Sequence, residues 1–269
     1  MSAADTIPGK IKVEYGERKI ISREELVEIF KKNNPGISDN AIRNRIHHLT
    51  QNDALFAITN DHFTTEIKQN WEPEVDESII SAWSVLFNDF GKNLICFWTT
   101  RWLNEFTSLQ AFNEMIFVEA EEIIVGSVYH RLVEHYDNVY FSPGEKELEY
   151  YISPKTTSYV VRNLITRSPL IVTMQGSTSK KPKFKSIRKP PRPRLEKLLT
   201  DLYYDSKILS VWKYEEEKIW QDAFKKYNIN FSTIINYASR RDNSLRIIDF
   251  ILSNLTDLPD DIVIFLREK

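Results

Sequence analysis

The sequence predicts an α+β chain built in three parts, and three observations predict it. Paired helix-start signals between Ile20 and Thr64 precede a two-strand pattern, apolar strands alternate with helices from about Asp76, and amphipathic helical segments follow Leu195.

In the first part, Ser22 followed by Glu25 forms a capping box, with Ile21 and Leu26 at the flanking staple positions, so a helix begins at Ser22. Pro35 and Gly36 end it. Ser38 repeats the signal, with Ile37 and Ile42 as a second staple, and that helix runs to about Gln51. Leu55 to Thr59, the turn pair Asn60-Asp61 and Phe63 to Thr65 read as a short hairpin, or wing. Two helices followed by a wing give the order of a winged helix-turn-helix, expected over residues 1–70.

Ile42, Ile46 and Leu49 recur at helical spacing and must face the first helix, which leaves Asn40, Arg43, Asn44, His47 and Gln51 outward, flanked by Arg45 and His48. Arg pairs bidentately with guanine and Asn or Gln with adenine, so this helix fits major-groove readout of double-stranded DNA. A solvated polar face is the alternative. From Glu17 to Glu66 there are seven Lys or Arg against eight acids, so the module is not basic. One copy should bind phosphate weakly, and a homodimer or another basic segment would have to supply the missing charge.

The second domain, expected over residues 71–269 and holding both remaining parts, opens with a helix from Ile79 to Phe87, a buried strand from Asn93 to Thr99 and a helical turn from Trp102 to Phe106. Next come a strand from Met115 to Val118, a helix from Glu121 to about His135, a strand from Val139 to Ser142, a helix from Glu145 to Ile152 and a strand from Tyr159 to Leu164. This rhythm implies a small α/β layer with a mixed sheet, because parallel neighbours need helical crossovers. Residues 176–194 then hold eight cations (Lys180, Lys181, Lys183, Lys185, Arg188, Lys189, Arg192 and Arg194), four prolines and no acid. That basic loop is either a solvated connection or the phosphate-binding charge the first module lacks. Four amphipathic segments complete the third part: Leu195–Tyr204, Glu215–Tyr227, Ser232–Arg240 and Leu245–Leu255.

With 36 basic and 38 acidic side chains among 269 residues, and 42% hydrophobic content, the chain has ample material for a core. No stretch has the apolar length of a membrane span, and Met1 to Lys10 lacks the basic start and apolar run of a secretion signal, so a cytoplasmic protein without membrane contact is expected. The lone Cys96 excludes disulfides within the chain and thiolate zinc sites, and is expected to be a buried, inert thiol.

Period-two alternation along a strand places Glu119 and Glu121 on one face, where Asp89 or Glu105 could join them around Mg²⁺. A restriction-nuclease-like core needs a Lys two residues after its acid, and position 121 is Glu, so a non-catalytic core and no enzymatic activity are expected. A metal-dependent nuclease and a protein-binding adaptor remain the alternatives. His130 and His135 stand five apart and miss zinc-helix spacing, and no cofactor is expected. The tryptophans at 83, 98, 102, 212 and 220 fall mostly in apolar runs and read as core rather than as base-stacking residues, while Arg240 and Arg241 suit a helix C-terminus.

The runs Trp98 to Phe106 (WTTRWLNEF), Phe117 to Glu121 (FVEAE), Leu195 to Leu202 (LEKLLTDL) and Asn236 to Arg241 (NYASRR), in this order, resemble the AbiEi-like antitoxins of type IV toxin-antitoxin systems over residues 20–255. The resemblance implies a repressor of its own promoter that antagonises a nucleotidyltransferase-like toxin in phage defence or plasmid maintenance. Residue by residue, it assigns DNA contact to Asn40, Arg43, Asn44, Arg45 and His47. The chain departs from that pattern where Asn52-Asp53 replaces a turn glycine and where the wing tip reads Asn60-Asp61-His62.

Overall fold

A computed structural model describes residues 20–108, 114–144, 156–173, 189–205 and 207–269, together with Gly9, Ile11 and Glu147. Apart from Glu147, the helix expected from Glu145 to Ile152 lies outside the described residues, as does most of the basic loop. The chain is α+β and divides into two compact units. The first comprises the residues up to Trp71 with Phe224–Asn236 and Ser244–Lys269, and the second comprises Glu72–Ala223 with Tyr237–Asn243. Stretches that the sequence assigned to the C-terminal helices therefore cluster with the N-terminal residues.

In the first unit, strand β1 (Ile21–Ser22) leads into helix α1 (Arg23–Asn33), then come α2 (Asp39–Gln51), β2 (Phe56–Ala57) and β3 (His62–Thr64). The capping box is present: Ser22 Oγ accepts from the Glu25 amide at 3.2 Å and the Glu25 carboxylate accepts from the Ser22 amide at 2.8 Å. The strands form one antiparallel sheet in the order β1-β3-β2, with Ile21 opposite Phe63 and Phe56 opposite Thr64. The third strand was not expected. Its physical basis is the N-cap itself, whose extended backbone at Ser22 (φ −74°, ψ 162°) is equally suited to pairing. Ile21, Leu26, Ile29, Phe30, Ile42, Ile46, Leu55 and Phe63 form the core, joined by Ile11. Asp53 takes a left-handed backbone (φ 51°), so an acid fills the turn position where glycine is usual.

The second unit opens with α3 (Glu77–Phe90), β4 (Ile95–Thr99) and a 3₁₀ turn at Thr100–Glu105, followed by β5 (Met115–Ala120), α4 (Glu122–Val133), β6 (Val139–Phe141), β7 (Ser158–Asn163), β8 (Leu170–Ile171) and β9 (Arg192–Pro193). Helices α5 (Leu195–Tyr204), α6 (Ser210–Lys213) and α7 (Glu216–Lys226) come next. The four-stranded sheet runs β4-β5-β7-β6 and is mixed, antiparallel between β4 and β5 and parallel for β5-β7 and β6-β7. Every residue of β4 and β5 is buried, as a strand covered on both faces requires. Trp83 of α3 packs edge-on to Phe97 on one face, while Trp98 and Phe117 stack with ring centroids 4.0 Å apart on the other. The expected tryptophans are all core residues, and Trp71 joins them.

Helices α8 (Phe231–Arg241), α9 (Ser244–Asn254) and α10 (Asp260–Arg267) end the chain. The sequence reading did not separate out α10. No helix among the described residues is long and apolar enough to cross a membrane.

Candidate functional site

The first candidate is the outer face of α2. Ser38 caps it, its Oγ accepting from the Ala41 amide at 3.3 Å, and Ile42 and Ile46 fix the helix rotation by burying themselves in the core. Asn40, Arg43, Asn44, Arg45, His47, His48 and Gln51 are consequently exposed. Arg45 leans over the Phe30 ring, 6.0 Å from its centroid. Among the described residues, the side chains of Asn40, Arg43, Asn44 and Gln51 make no hydrogen bond or ion pair. Of the remaining predicted site residues, Lys189 is exposed, while Lys180, Lys181, Lys183, Lys185 and Arg188 lie outside the described residues.

The hairpin tip is tied down. Thr59 Oγ1 accepts from the amides of Asp61 and His62, Arg23 pairs with Asp61 at 2.9 Å, and Ser232 Oγ accepts from the Asn60 amide at 3.0 Å. The outer edge of β2 is covered too: Asn230 donates its side-chain amide to the Ala57 carbonyl at 2.7 Å, and the Phe231 amide donates to Ile58 O at 2.8 Å.

The second candidate, within the other unit, is a buried ionic cluster that sequence reasoning missed. The parallel register sets Glu119 of β5 beside Arg162 of β7. Glu119 Oε1 accepts from Arg162 Nη2 at 2.6 Å and from Trp98 Nε1 at 3.0 Å, and Glu119 Oε2 faces Lys197 Nζ at 2.6 Å. From α5, Lys197 also reaches Asp201 at 2.5 Å. Asp201 Oδ1 accepts from Tyr237 Oη at 2.8 Å and from Arg241 Nη1 at 2.5 Å, and Asp205 bridges Arg162 and Arg241.

Three cations and three carboxylates thus meet in one network. Burial pushes Asp201 up, but Lys197, Arg241 and Arg162 outweigh it and hold its carboxyl down to about 2. Burial likewise opposes charge on Glu119, and Lys197 with Arg162 hold it below its ordinary value. Lys197 is raised despite burial because Asp201 and Glu119 face it.

Two expectations are corrected here. Glu119 and Glu121 do not share a face, because β5 ends at Ala120 and Glu121, exposed, begins the turn into α4. Asp89 is instead paired with Arg131 at 3.2 Å. Arg241 is explained by its carboxylate partners rather than by the helix end alone, whereas Arg240 is exposed. Cys96 is buried on β4, where burial raises its thiol well above the ordinary value.

Fold and site together define an α+β chain with one exposed polar helix face and one buried ionic cluster. The chain belongs to a family of unknown function, DUF6577, whose model matches residues 41–257. No curated protein matches it, and no solved structure does.

Proposed function

We propose that this chain binds double-stranded DNA through α2 and acts as a transcriptional regulator of the antitoxin type, with no enzymatic activity of its own. The observation that carries the reading is the α2 face: Asn40, Arg43, Asn44 and Gln51 project from a rigidly packed helix with no partner among the described residues. Long polar side chains held on a fixed helix suit base-edge readout in the major groove. The order helix, helix, hairpin, with β1 completing a three-stranded sheet, supports reading the first unit as a winged helix-turn-helix.

Because the module carries almost balanced charge, the reading includes a second copy or the 176–194 segment as the source of phosphate contact. The partners proposed are the chain's own promoter and, from the AbiEi-like resemblance, a nucleotidyltransferase-like toxin. The tied wing tip favours a second reading, a protein-binding adaptor, since a fixed hairpin with Asp61 at its tip repels phosphate.

The test is nuclease footprinting of the full chain on its own upstream DNA, paired with a reporter driven by that promoter. Protection of a discrete repeat, with repression lost in Arg43→Ala/Asn44→Ala, supports the regulator. Absence of protection at low salt would reject it in favour of the adaptor.

A further inference from the structure

The ionic cluster does not end in packed protein. It opens on a cavity of about 230 Å³ whose wall includes Arg162 and Arg241, with Ser142, Asn163, Tyr237 and Glu119. The charges are unevenly placed. Two of the cluster's three cations reach the cavity wall but one of its three carboxylates does, while Lys197, Asp201 and Asp205 stand behind. The wall therefore presents a net positive charge although the cluster sums to zero, and the surrounding low-dielectric protein lengthens the reach of that charge.

The donor inventory points the same way. A guanidinium carries five N–H donors, and Arg241 gives one to Asp201 and one to Asp205, while its Nε has no hydrogen-bond partner among the described residues. The Ser142 hydroxyl and the Asn163 amide have no partner among the described residues either. Ser142 is held with a left-handed backbone (φ 43°), fixed by its amide donating to Val161 O at 2.8 Å. Glu119, Lys197 and Asp201 are fully buried, and apolar residues of similar volume often stabilise a core as well as buried charges do, so stability alone is a weak account of the cluster.

We propose that this cavity is a binding site for a small oxyanion, the phosphate or carboxylate group of a ligand, held by Arg241 with Ser142 and Asn163 as the neutral donors, while Arg162, whose Nε and Nη donors already face Glu119, Asp205 and Asp201, adds positive charge to the wall. The site is independent of the DNA reading. Guanidinium forks match planar and tetrahedral oxyanions through paired N–H donors, which suits both groups.

The test is isothermal titration calorimetry of the full chain with inorganic phosphate at constant ionic strength, and separately with acetate. Saturable phosphate binding is expected, weakened at least tenfold in Ser142→Ala/Asn163→Ala. Neither residue belongs to the ion-pair network, so an unchanged melting temperature should show that this variant folds. Arg241→Lys, which keeps the charge but loses the fork, should weaken binding by a similar factor. Phosphate binding that acetate cannot displace assigns a phosphate ligand, and displacement by acetate assigns a carboxylate. Absence of saturable heat with either anion, or equal binding by the double variant, would overturn the proposal.

Discussion

The ammonium of Lys197 lies 2.6 Å from Glu119 Oε2, with the lysine side chain 0% and the glutamate 2% exposed. A charge taken so far from water must keep its partner, because removing one member of a buried pair costs about 3–5 kcal/mol. Lys197→Met should therefore lower stability by about that amount in urea unfolding, and it should couple strongly to Glu119→Gln in a double-mutant cycle. A loss below about 1 kcal/mol would mean that the pair is hydrated.

Acid titration gives a second prediction. The Asp201 carboxyl falls from 3.8 to about 2 on folding, so its contribution is present above its unfolded value and is lost as pH falls toward 2. That contribution is about 2 kcal/mol by linkage. Glu119, also lowered, acts in the same direction. Glu216 is raised by burial, which outweighs its Lys213 partner, and acts oppositely, favouring the fold below its unfolded value and less so as pH rises. Thermal melts across the acid range should lose stability below about pH 4, and Asp201→Asn should flatten that slope.

Gly91 offers a test in which two effects have opposite signs. It closes α3 with an ordinary helical backbone (φ −62°), where alanine would gain up to about 1 kcal/mol from propensity. A Cβ there would stand 2.5 Å from the Phe87 carbonyl oxygen. Close approach should win, and Gly91→Ala should destabilise by about 1–3 kcal/mol in chemical denaturation. A stabilised variant would show that the helix end yields easily.

The Cys96 thiol should resist a disulfide-forming reagent in the native state and react fully in denaturant, since its burial disfavours the thiolate. Fast native labelling would mean that β4 opens locally.

Local grammar made much of this molecule legible. Ser22 with Glu25, Pro35-Gly36 and Ser38 place α1 and α2 within a residue or so, because capping chemistry acts over three or four positions. The apolar runs of β4 and β5 and the mixed sheet were readable because strands covered on both faces are continuously apolar and parallel neighbours need crossovers. The ionic cluster was not. Its members come from positions 119, 162, 197, 201, 205, 237 and 241 and meet only through the β5-β7 register and the packing around α5. In the sequence, Lys197 and Asp201 look like a solvated i, i+4 pair on an amphipathic helix, whereas every residue of α5 from Leu195 to Leu202 is buried. The one available signal was Glu119 inside an otherwise apolar strand, a buried carboxylate that demands a cation.

The regulator reading turns on whether α2 distinguishes one duplex from another. Competition anisotropy at fixed salt, setting the chain's own promoter fragment against a scrambled duplex of equal length, measures that discrimination directly. The account predicts at least a hundredfold preference for the promoter fragment, falling by tenfold or more in Arg43→Ala as a bidentate base contact worth about 1–3 kcal/mol is lost. Equal affinity for both duplexes, unchanged by Arg43→Ala, would contradict it.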